Sequence, residues 1–159
     1  MEYVRKLIQE TDYLERMKQL EELETERRFC RHGLEHVLDV ARIAWILVLE
    51  EKLPYEKETI YLTALLHDMG RILEYQEGIP HHEAGQKIAE GFLRQIGYPG
   101  EKGMLIVTAI GEHRKKDKLN DDFINVIKRA DSLSRNCFFC EVQEACKWKE
   151  ERKNKTILY

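Results

Sequence analysis

Residues 61–71 read YLTALLHDMGR. Ile60, Thr63 and Ala64 precede His67 by seven, four and three positions, the spacing that stacks side chains on one face of an α-helix. That face ends in an imidazole and a carboxylate, His67 and Asp68. An unpaired charge aimed into a core costs several kcal/mol or neutralises itself. The partners of this pair must therefore be sought along the rest of the chain.

The same pattern recurs. His36 is followed by Val40, Ile43 and Ala44 at i+4, i+7 and i+8. His113 follows Ile106, Ala109 and Ile110, and Asp131 follows Ile124 and Ile127. At least four helical segments thus direct an imidazole or a carboxylate where their apolar residues point. A shared cation is the economical explanation, because these donor types suit zinc, iron or manganese. Facing helices of a bundle are a recurrent place to hold such an ion.

The surrounding sequence fits an all-α bundle. Of 159 residues, 35% are charged and 43% hydrophobic, the balance expected of helices with one buried and one solvated face. Nine glycines and three prolines are too few for a many-stranded sandwich or barrel. Pro54, Pro80 and Pro99 punctuate helical segments. Six or seven helices are expected: Val4 to Arg28, Arg31 to Glu51, Glu56 to Tyr75, His82 to Ile96, Glu101 to His113, and one from Asp121 or Asp122 through Arg135. Residues 1–28 read as an amphipathic extension packed on the domain, 29–136 as the main domain, and 137–159 as a cysteine-containing segment with a basic tail.

Several function classes recede on composition. With 26 basic and 29 acidic residues, nucleic-acid binding through sheer basicity is disfavoured. The longest unbroken apolar run, Ile43 to Leu49, is seven residues, far short of a membrane span of about 20. The start, MEYVRKLIQE, is too charged for a signal peptide. A reducing cytoplasm is the expected location.

The HD pair in LLHDMGR, with His36 upstream in EHVLDVARIA and Asp131 downstream in IKRADSLSR, resembles the signature of the HD-domain superfamily of metal-dependent phosphohydrolases. Two further histidines extend the likeness. His81 in HHEAGQKIA resembles the family's H-x-x-x-G element, with His82 as its competitor, and His113 lies in IGEHRKK. The resulting order, H…HD…H…H…D, is similar to that of the small stand-alone bacterial members. The resemblance implies that His36, His67, Asp68, His81, His113 and Asp131 hold one or two divalent ions (iron, manganese, zinc or magnesium), with Asp68 bridging.

In such a site a bound ion lowers the pKa of water from 15.7 to about 7, and the hydroxide attacks phosphorus. His67 and Asp68 would be catalytic. Arg71, three residues on, would neutralise phosphate charge, a departure from the lysine usual in the family. His82, Arg114, Lys115, Lys116, Lys128 and Arg135 are further candidates for contacting substrate. The resemblance implies hydrolysis of a phosphoester or phosphoanhydride of a nucleotide-like small molecule, and leaves open a homodimer. The alternatives are a non-catalytic module sensing a nucleotide or metal and, behind it, nucleic-acid processing.

CFFCEVQEAC, residues 137–146, forms a second constellation. Two cysteines three apart are a common chelating step; buried apolar thiols or a redox pair are the alternatives. Cys30 lies six residues before His36 and Cys137 six after Asp131. If His36 and Asp131 meet on antiparallel helices, both offsets run the same way by about 9 Å. Cys30, Cys137, Cys140 and Cys146 would then gather outside the first site, able to hold structural zinc or an iron–sulfur cluster.

Overall fold

The computed structural model describes residues 1–114 and 121–159. Lys115 and Lys116, named above as substrate contacts, lie outside the described residues. The regular structure is helical: α1 (Glu2–Glu10), α2 (Tyr13–Leu23), α3 (Leu34–Glu50), α4 (Lys57–Leu66), α5 (Arg71–Glu77), α6 (His81–Gln95), α7 (Gly100–Glu112) and α8 (Asp122–Leu133). Two single 3₁₀ turns follow, at Cys137–Phe139 and Glu150–Arg152. No strand occurs among the described residues, and no helix there is long and apolar enough to cross a membrane.

Helix α4 organises the bundle. Between Thr59 and Leu66 every side chain except Tyr61 is buried, the mark of a helix enclosed on all sides. Leu62, Leu65 and Leu66 join one core with Leu7, Tyr13, Met17 and Leu20 from α1 and α2, and Phe92, Ile106 and Ile110 from α6 and α7. Ile60 and Ala64 join a second core with Val40, Ala44 and Leu47 of α3 and Phe123, Ile124 and Ile127 of α8. α1 and α2 thus share a core with the rest of the bundle. The Tyr13 hydroxyl donates to the Leu65 carbonyl at 2.9 Å, tying α2 to α4.

Two long periodic segments are each divided. The expected helix Val4 to Arg28 breaks at Thr11, whose hydroxyl donates to the Leu7 carbonyl at 2.6 Å and accepts from the Tyr13 amide at 3.2 Å. Thr11 itself is extended, a side chain competing with the helical ladder. The helix also ends at Leu23, and residues 24–33 form a connector that leads into α3 three residues later than expected. The segment Glu56 to Tyr75 breaks at residues 67–70. There the Met69 amide bonds to Leu66 and the Arg71 amide to Asp68, a turn that lifts the HD pair off the helix end. The remaining boundaries shift by one or two residues, α6 starting at His81 rather than His82. Asp121 caps α8, accepting from the Ile124 amide at 3.1 Å.

Candidate metal centre

The turn after α4 is locked against the start of α6. A side chain on Gly70 would place its Cβ 1.9 Å from the His81 carbonyl oxygen and 2.5 Å from the Gly85 amide nitrogen. A Cβ on Gly85 would stand 3.0 Å from Ile110. The H-x-x-x-G spacing thus has a packing cause. Gly85, one turn after His81, lets α6 approach both the HD turn and α7, which brings His81 to Asp68.

Asp68 is the hub. Its Oδ2 lies 3.2 Å from His67 Nε2 and 3.7 Å from His36 Nε2, and its Oδ1 lies 3.8 Å from His81 Nε2. Asp131 Oδ1 is 3.5 Å from the same nitrogen of His36. The His113 ring stands 5.7 Å from that of His67 and 5.3 Å from that of His81, centre to centre. Donor atoms of His36, His67 and Asp68 all fall within 4.8 Å of one another, and so do those of Asp68, His81 and His113.

Each ring is held the same way. The Nδ1–H of His67 donates to the Ala64 carbonyl at 2.7 Å, and that of His113 to the Ile110 carbonyl at 2.6 Å. His81 Nδ1 faces the Glu74 carboxylate at 2.9 Å and 3.0 Å. The Ser134 hydroxyl gives its proton to the Asp131 carbonyl at 2.9 Å, so it accepts from His36 Nδ1 at 3.3 Å. With Nδ1 committed as donor, a neutral ring turns its lone pair outward on Nε2, the tautomer that metal ligation requires. Nε2 of His36, His67 and His81 are buried with no hydrogen-bond partner. Buried polar atoms are rarely left so, and a divalent ion fits this donor set of imidazoles and carboxylates.

Electrostatics agree. Burial pushes the Asp68 carboxyl up, but the charges of His67 and Arg71 outweigh it and hold it well below the usual range. Burial likewise works against ionised Asp131, and Arg135 and His67 bring it down. The His67 ring is pushed down by burial and lifted by Asp68 and Asp131 to about 9. Burial lowers His113 to about 4, and burial with Arg71 lowers His81. The cluster wants positive charge at its centre, and one imidazolium supplies it where no cation does.

The sequence reading passed over His32. The ring is buried, its Nδ1 2.6 Å from Glu24 Oε1 and its Nε2 3.9 Å from Asp68 Oδ2. Glu24 also accepts from the His32 amide at 2.6 Å and the Tyr75 hydroxyl at 2.7 Å. Five of the six histidines therefore surround Asp68. His32 precedes α3, so helical spacing offered no signal for it.

The cationic candidates divide. Arg71 is buried, its Nε 2.8 Å from Asp68 Oδ1 and its NH1 3.5 Å from Glu74. Arg135 reaches Asp131 at 3.2 Å and 3.4 Å. It also lines a cavity of about 730 Å³ that includes His36 and Ser134. His82 turns outward beside Glu83, Arg114 is exposed past the end of α7, and Lys128 is half-buried on α8.

A sequence model of the HD domain matches residues 33–136. The chain belongs to the HD-domain family. An uncharacterized protein of Clostridium beijerinckii is 40% identical over 153 residues, covering 96% of each chain. The crystal structure of a predicted HD superfamily hydrolase from an uncultured Thermotogales bacterium superposes with a TM-score of 0.62 at 24% identity, covering 87% of this chain and 79% of that one. That likeness is one of fold. The HD-domain match spans α3 to α8, so α1, α2, Glu24 and His32 precede it.

Proposed function

We propose that this HD-domain protein is a metal-dependent phosphohydrolase acting on a small, nucleotide-like phosphoester or phosphoanhydride. The observation that supports it most is the set of three buried, unpartnered Nε2 atoms converging on Asp68. His36, His67, Asp68 and Asp131 would hold one ion, and Asp68, His81 and His113 would share in a second. A divalent cation there supplies an acidified water near neutral pH and polarises a phosphoryl oxygen.

The chain's own residues account for the rest. Ala64, Ile110, Glu74 and Ser134 fix the tautomer and orientation of the rings, so no reorganisation is needed when a substrate arrives. Asp68 presents two carboxylate oxygens to neighbours on different elements and would orient the attacking water. Arg71 is pinned by Asp68 and Glu74, which leaves its fork in place to meet a phosphoryl oxygen. Arg135, bonded to Asp131 and beside His36, sets positive charge at the edge of the site.

The test is phosphate release from a panel of nucleoside mono-, di- and oligophosphates with added Mn²⁺, Fe²⁺ or Co²⁺. Turnover that disappears in His67→Ala and in Asp68→Ala, with helical content retained, supports the reading. Tight nucleotide binding without turnover under any metal would replace it with a sensing module.

A further inference from the structure

The C-terminal segment poses a problem of stability. From Asn136 to Tyr159 no apolar side chain is buried, and Lys153 is the single buried residue. Phe138 is 42% exposed and Phe139 85%. The segment is nonetheless wound into successive tight turns: the Cys140 amide bonds to Cys137, Gln143 to Cys140, Ala145 to Val142 and Cys146 to Gln143. A stretch that buries so little needs another source of order, commonly a metal or disulfides.

All four cysteines are free and half-buried. All four line one cavity of about 730 Å³, although Cys30 comes from the α2–α3 connector and the others from the far end of the chain. Cys30 precedes the start of α3 and Cys137 follows the end of α8, so neither sits on an α-helix as the offset argument supposed, yet the two do come together. Burial pushes the Cys30 thiol up; Arg135 opposes this, and Cys137 and Cys140 add to it. Arg28, Arg31, Arg135 and Lys153 stand around the same space. Lys153 is anchored through the Gln143 carbonyl at 2.9 Å. Four thiolates without a metal would repel one another. Four thiolates around an electron-deficient core leave a modest net negative charge that these cations offset.

The cysteine sulfurs stand wider apart than in a closed zinc site. A single tetrahedral zinc, with Zn–S near 2.3 Å, draws its sulfurs to within about 3.8 Å of one another. Among the described residues the donor triplets within 4.8 Å are both built on Asp68, and no three cysteine sulfurs meet that spacing. Iron and sulfide interposed between the thiolates hold them further apart, and the cavity has room for such a core.

We propose that Cys30, Cys137, Cys140 and Cys146 ligate an iron–sulfur cluster that fastens the C-terminal segment to the α2–α3 connector. The assignment is independent of the Asp68 centre and of any hydrolase activity. The cluster would lie one step from that centre, since Arg135 lines the cysteine cavity, bonds Asp131 and stacks on Trp148 at 3.9 Å.

The test is anaerobic purification of the full chain from iron-supplemented cells, followed by reconstitution with Fe²⁺ and sulfide. Iron, acid-labile sulfide and the visible spectrum are then measured. The expected result is a brown protein whose sulfide and colour survive Asp68→Ala but are lost in both Cys140→Ser and Cys146→Ser. Asp68→Ala removes iron bound at the other centre, and acid-labile sulfide marks the cluster alone. Lys147 and Lys149 are already exposed on the segment, so chelation of the wild-type cluster should speed tryptic cleavage after them by loosening the backbone, a readout that needs no variant. Stoichiometric zinc without sulfide, or no sulfide retained after reconstitution, would overturn the cluster assignment.

Discussion

Gly70 leaves no room for a side chain, because the atoms its Cβ would meet are backbone atoms of His81 and Gly85. Gly70→Ala is therefore expected to cost about 2 kcal/mol or more in urea denaturation and to weaken metal binding by moving His81. Gly91, on the same helix as Gly85, faces open space, and Gly91→Ala should stabilise by about 0.5–1 kcal/mol. His32 offers a second residue-scale prediction. Its removal leaves the buried Glu24 carboxylate short of its closest partner, so His32→Ala should cost about 1–3 kcal/mol. Burial opposes the charge on Glu24, yet bonds from His32 and Tyr75 hold its carboxyl down at about 2, below its ordinary 4.5. The folded state thus binds that proton less readily than the unfolded chain. The stabilisation is complete above pH about 4.5 and lost as pH falls towards 2. Urea midpoints of wild type and Glu24→Gln should accordingly converge on acidification. None of this network was legible beforehand. Glu24 stands in a run of acids that reads as a solvated face, and His32 precedes its helix, where helical periodicity gives no direction.

Helix α4 shows what periodicity does convey. The phases of Ile60, Thr63 and Ala64 place His67 correctly, and the same arithmetic places His36, His113 and Asp131, because each lies within or at the very end of a continuous helix. Periodicity fails where side chains compete for the backbone. Thr11 ends α1 through its own hydroxyl, and the HD turn ends α4 although the apolar pattern runs on through Met69 and Ile72. Tyr13 couples α2 to α4 through a buried hydrogen bond, so Tyr13→Phe should cost about 1 kcal/mol. Leu66→Ala, removing a fully buried side chain just before the HD pair, should cost about 2–5 kcal/mol by thermal or urea unfolding. A larger loss of metal affinity in the second variant than in the first would show that the helix end positions the centre.

Across the whole molecule, charge at the centre is the governing quantity. His67 is lifted to about 9, so in the metal-free protein at neutral pH it carries a proton that a divalent ion must displace. Loading the centre at pH 7 should release about one proton per chain, read as a buffer-dependent heat in calorimetry. Metal affinity should fall as the pH is lowered. The all-helical class could be read from pattern, and His81 was reached only through the family resemblance, whereas the two-core division could not be read at all, since it depends on which faces of α3, α4 and α7 meet.

That division has a mechanical consequence. The core residues of α6, Ala89, Phe92 and Leu93, belong only to the first core and the buried residues of α8 only to the second, yet His81 rides on one and Asp131 on the other. Ions gathered around Asp68 would act as a rivet between two halves that otherwise share the flanks of α3, α4 and α7. Occupancy should then govern how cooperatively the halves come apart. Loaded protein should melt in one sharp transition, and stripped protein in a broader one, with deuterium entering α6 and α8 before α4.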